Sequence, residues 1–61
     1  MDRLEYKGFT GSVLWSSEDQ IYYGQIQGIW SLVSYHGETL EVLEMDFREA
    51  VDMYLDYCTR A

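Results

Sequence analysis

The chain carries one histidine, His36, and one cysteine, Cys58. A base and a thiol are the smallest kit for nucleophilic catalysis. Neither has neighbours that would activate it, so they read as a turn histidine and a core cysteine at a helix end. Two soft ligands far apart in sequence, without ligand spacing, do not make a metal site. Glu18-Asp19, and Glu38 with Glu41, lack the alternating oxygens of a calcium loop. The glycines at positions 8, 11, 24, 28 and 37 do not form a phosphate-binding loop. The inventory thus points to no enzyme, no metal and no cofactor. What remains is charge. Eleven acids face four basic residues, for a formal net charge of −7. That argues against direct nucleic-acid binding, which needs a basic surface. It suits a basic protein partner.

Most of the acid lies on one predicted helix. His36-Gly37 signals a turn, and Thr39 is a good N-cap type. From there Leu40, Leu43, Phe47, Ala50, Val51, Tyr54 and Cys58 recur every three or four residues and should lie on a sheet. Glu41, Glu49, Asp52 and Asp56 gather on the opposite side. Arg48 is four residues from both Glu44 and Asp52, close enough to pair with each. Val42, Met45 and Met53 also fall toward the outer side, which is unusual for a helix with nothing on it.

Everything before the helix reads as short strands. Met1 to Lys7 is a charged lead-in able to form a short edge strand. From Phe9 to Trp15 the residues alternate, with Phe9, Gly11, Val13 and Trp15 on one face and Thr10, Ser12 and Leu14 on the other. Ser16 to Asp19 is a turn cluster. Ile21 to Gln27 is the second strand, with Tyr23 and Gln25 on the face away from the helix, and Gly28 breaks it. Ser31 to Tyr35 is the third. Short connections make neighbours antiparallel. The predicted fold is α+β: a small antiparallel sheet of three strands, followed by one amphipathic helix packed on one face. With 61 residues the chain forms one domain, residues 1–61, with a thin core. Asp2, Arg3, Glu5 and Lys7 interrupt any apolar start, and no apolar run approaches the roughly 20 residues of a membrane helix. One cysteine allows no internal disulfide, which fits a reducing, cytoplasmic setting.

Four blocks then follow in order: Tyr6-Lys7-Gly8-Phe9-Thr10-Gly11-Ser12-Val13, Tyr22-Tyr23-Gly24-Gln25-Ile26-Gln27-Gly28-Ile29, Leu32-Val33-Ser34-Tyr35-His36-Gly37-Glu38-Thr39, and Asp46-Phe47-Arg48-Glu49-Ala50-Val51-Asp52-Met53-Tyr54-Leu55. Together they resemble the N-terminal domain of the HicB antitoxin family, over almost the whole chain. The resemblance implies a reduced ribonuclease H-like fold. It implies a partner, a HicA-like toxin: a small basic messenger-RNA-cleaving protein whose active site the antitoxin covers. Ribonuclease H likeness does not imply activity, since fold alone does not carry function. The sequence departs from the family in two places. Family members usually continue into a DNA-binding domain, whereas this sequence ends at Ala61, so operator binding is not carried over. Trp30 stands where the family is expected to carry a small polar residue.

Two sets of contact residues follow. Trp30, Glu41, Met45, Glu49, Asp52 and Asp56 are expected to meet the basic toxin, the acids by charge and Met45 as an adaptable apolar contact. Thr10, Ser12, Leu14, Tyr23 and Gln25, on the sheet face without a helix, are expected to support self-association, most simply as a dimer. A self-associating structural domain without a toxin partner is the alternative reading. A vestigial hydrolase is disfavoured by the residue inventory.

Overall fold

The computed structural model describes residues 3–60, the side chain of residue 60 excepted. Met1, Asp2 and Ala61, which fall within the expected domain, lie outside the described residues. Among the described residues five strands precede one helix: β1 (Arg3–Tyr6), β2 (Phe9–Ser12), β3 (Leu14–Ser16), β4 (Ile21–Gln27), β5 (Ser34–Gly37) and α1 (Leu40–Arg60). All strand pairings are antiparallel, and the helix covers one face.

The sheet therefore has five strands where three are expected. One addition is β1, formed within the charged lead-in. Lys7 and Gly8 both sit at positive φ, 51° and 84°, and Tyr6 pairs with Phe9. Two central residues of that kind make a tight two-residue hairpin turn whose twist matches the strands. The other addition comes from a break at Val13 in the expected Phe9–Trp15 strand. β2 pairs Gly11 with Ile26 and β3 pairs Leu14 with Tyr23, so both continue one register along β4. Between them the ladder opens. The Gln25 N–H donates to Ser12 Oγ at 3.0 Å, and the Ser12 carbonyl accepts the Tyr35 hydroxyl at 2.6 Å. Glycine is required at position 24, because a Cβ there would run into the Ser12 carbonyl. β5 runs from Ser34 to Gly37 rather than from Ser31 to Tyr35, and just before it the Val33 carbonyl accepts the Ile26 N–H at 3.0 Å.

Thr39 caps the helix as expected. Its Oγ1 accepts the Val42 N–H at 3.1 Å and its carbonyl accepts the Leu43 N–H at 2.9 Å. Leu43, Phe47 and Val51 are fully buried against Leu4, Ile26 and Tyr35. The Phe47 and Tyr35 rings pack at 5.1 Å between centroids. The helical spacing also assigns Leu40 and Cys58 to the sheet side, but the structure exposes both. The reason is length at the C-terminal end. A helix of 21 residues is roughly 32 Å long, whereas the longest strand, of seven, spans roughly 23 Å. Cys58, in the last turns, lies beyond the strands. Arg48 pairs with Glu44 at 3.0 Å, while Asp52 takes Lys7 instead, at 2.8 Å. Among the described residues no helix is long and apolar enough to cross a membrane.

Candidate protein-binding surface

Three surfaces are built on this frame. The first is the outward side of α1. Glu41, Met45, Glu49 and Asp56 project there, all exposed. Asp52 is only partly available. It sits toward β1, where its carboxylate holds the Lys7 ammonium at 2.8 Å and lies 3.5 Å from the Tyr6 hydroxyl. The Lys7 pKa is raised above its ordinary value, mainly by that hydrogen bond. The guanidinium of Arg48 lies 5.7 Å from the centre of the Tyr6 ring. The β1 flank of the helix is thus closed by side chains of mixed sign.

The second surface is the opposite flank. The β4–β5 loop stands beside the C-terminal half of α1. Ser31, Val33, Ala50, Met53, Tyr54 and Tyr57 line a groove of about 370 Å³ between them. Trp30 is 103% exposed and Leu32 82%, so the loop presents two large apolar side chains with almost nothing on them. Met53 and Tyr57 on the helix are exposed too. Single exposed apolar residues are ordinary, but a cluster at a groove is not. Of the residues expected to meet a toxin, Trp30 belongs to this flank. Met45 and the remaining acids lie farther round the helix, and Asp52 lies on the far side. Leu32 and Tyr57 were not singled out by sequence. Leu32 falls in a stretch that reads as strand, and Tyr57 falls outside the apolar stripe of the helix.

The third surface is the sheet face without a helix. The register places Thr10, Ser12, Leu14, Tyr23 and Gln25 together there, as expected. Leu14 and Tyr23 are cross-strand neighbours and exposed, whereas Thr10 and Ser12 are half-buried. His36 joins them from β5, opposite Tyr23. Its backbone N–H donates to Asp46 Oδ2 at 3.0 Å. Cys58 sits in the last turns of α1 beside Tyr54, whose pKa it raises through a hydrogen bond. Among the described residues no hydrogen bond joins His36 to Cys58, and no group of three or more His, Cys, Asp or Glu could hold a metal ion. Comparison with known proteins gives no matching family model, no matching curated protein and no matching solved structure.

Proposed function

We propose that this chain is an antitoxin-type domain that acts by binding alone, covering the active site of a basic, HicA-like RNA-cleaving toxin in the cytoplasm. One observation carries this reading: two exposed apolar side chains, Trp30 and Leu32, stand on the loop whose Ser31 and Val33 line an apolar groove beside a strongly acidic helix. α1 holds six acids against two basic residues. Charge on that side speeds capture of a basic partner, and apolar anchors retain it. A protein that cleaves RNA must hold phosphate with basic residues, so its groove is the complementary surface. The domain itself neither binds nor cleaves nucleic acid in this reading.

The test is association kinetics with a purified HicA-like toxin. The variant is Glu41→Lys with Glu49→Lys, which spares Asp52 because that residue is tied to Lys7. Association should slow by about tenfold at low salt, with a smaller difference at high salt. Equal association rates for the variant and the parent chain would remove the acidic helix from the interface. No binding by either would end the toxin reading.

A further inference from the structure

We propose that two copies of this chain join edge to edge through β1, in one register: Leu4 opposite Leu4 of the second copy, and each Arg3 opposite the other copy's Glu5. The inference stands apart from the toxin reading, since it uses the opposite edge of the sheet.

The backbone comes first. The two-residue Lys7-Gly8 turn makes Tyr6–Phe9 a hydrogen-bonded pair, and antiparallel pairs alternate. Leu4–Gly11 is then also hydrogen-bonded to β2. Arg3 and Glu5, opposite Ser12 and Thr10, turn their N–H and C=O groups outward. β1 lies at the end of the sheet, so this edge offers two residues with both backbone groups facing outward. Such an edge is a template for another strand.

The side chains then choose the register. Leu4 faces the core, and Arg3 and Glu5 face the side away from the helix, both exposed. Among the described residues no hydrogen bond or ion pair holds either of them. An antiparallel second copy centred on Leu4 places Arg3 against Glu5 twice, on one face, and lets both pairs exchange backbone hydrogen bonds. Centring on Arg3 or Glu5 puts like charges opposite each other, which is destabilising. A shift by one residue puts the two helices on opposite faces and sets Leu4 against a charge. One register therefore satisfies backbone, face and charge together, and it is the self-complementary one that a two-fold dimer needs.

Net charge supports the same edge. Two chains of −7 repel over most of their surfaces. β1 holds one positive and one negative side chain, and on the flank above it Arg48 pairs with Glu44 and Lys7 with Asp52, so this edge is close to neutral.

The experiment uses the full chain and two charge reversals, Arg3→Glu and Glu5→Arg, with sedimentation equilibrium as readout and circular dichroism as the fold control. The parent chain should be a dimer. Each variant alone sets like charges opposite each other twice, so its dissociation constant should rise by about tenfold or more. Mixed in equal amounts, the two variants restore both Arg–Glu pairs, and the dimer should return as a heterodimer. A monomeric parent chain overturns the proposal. So do variants that dimerise like the parent, or a mixture that stays monomeric. A dimer broken instead by Leu14→Lys or Tyr23→Lys would move the interface to the open sheet face and overturn it as well.

Discussion

The β1 and β5 edges of this sheet are treated differently, and two acids on one helix show how. At the β5 edge, Asp46 reaches down to the backbone and accepts the His36 N–H at 3.0 Å. The helix start presses on the same strand, where a Cβ on Gly37 would meet the Leu43 backbone nitrogen. That edge is capped at His36. At the β1 edge, Asp52 holds side chains alone, the Lys7 ammonium in the hairpin turn and the Tyr6 hydroxyl, and leaves the strand backbone of Arg3 and Glu5 bare. An edge strand invites pairing unless it is blunted. Here one edge is blunted by an acceptor from the helix. The other is selective through alternating opposite charges.

The comparison needs the scaffold that holds both edges under one helix, and the largest effect comes from removing it. Phe47 is fully buried, and its ring lies against the Tyr35 ring and the space that Gly11 leaves open. Phe47→Ala should cost about 3–5 kcal/mol. A domain of this size has little more stability than that. The variant should show no cooperative thermal transition by circular dichroism. A cooperative melt close to that of the parent would show that Phe47 is not the centre of the core.

Much of that core is legible in the sequence. The spacing of Leu43, Phe47 and Val51 identifies the buried stripe, Thr39 identifies the cap, and Ile21–Gln27 matches β4. These signals are local. The misses depend on partners distant in sequence. The break at Val13 has no cause within Phe9–Trp15, because it arises where the Tyr35 hydroxyl takes the Ser12 carbonyl from the ladder. Asp46 reads as one more acid on an acidic helix until β5 lies beside it. The Lys7-Gly8 turn was the nearest to legible, but lysine at positive φ is uncommon and Gly8 alone did not mark a hairpin. The groove beside Trp30 needs the loop folded against the helix. Its residue types were visible, and its shape was not.

Tyr35 provides a smaller and more specific break. It is buried, and its hydroxyl joins β5 to the joint between β2 and β3. Burial pushes its phenol from the ordinary value of 10.0 up to about 12. The folded chain therefore keeps a proton that the unfolded chain releases between about pH 10 and 12. Stability from this group is fully present below about pH 10 and is lost as pH rises toward 12. Tyr35→Phe should cost about 1–2 kcal/mol near neutral pH, because the Ser12 carbonyl loses its donor. It should also flatten the alkaline decline in urea midpoint. A remaining slope is expected from Tyr54, whose phenol is raised by its bond to Cys58. An unchanged alkaline decline in the variant would assign that decline to other tyrosines.

The sharpest form of the comparison sets Asp46 against Lys7. Asp46→Ala removes an acceptor from a backbone N–H and should cost about 1 kcal/mol. It should also open the second edge, so that sedimentation at raised concentration shows assemblies larger than a dimer. Asp46→Asn keeps an oxygen in reach of His36 and should restore the parent's behaviour in both measurements. Lys7→Gln cuts the tie at the other edge. Both side chains of that ion pair are about half exposed, 51% and 49%. Exposed pairs of this kind contribute little, and salt screens them. The urea midpoint should therefore move less than in Asp46→Ala, and the difference from the parent should vanish in about 1 M salt. Assembly should stay at the dimer, since the β1 backbone is bare in both proteins. If Lys7→Gln instead destabilises more than Asp46→Ala, the hairpin tether rather than the β5 cap holds helix and sheet together. If Asp46→Ala adds no larger assemblies, the helix body alone protects β5, and the cap serves stability without guarding the edge.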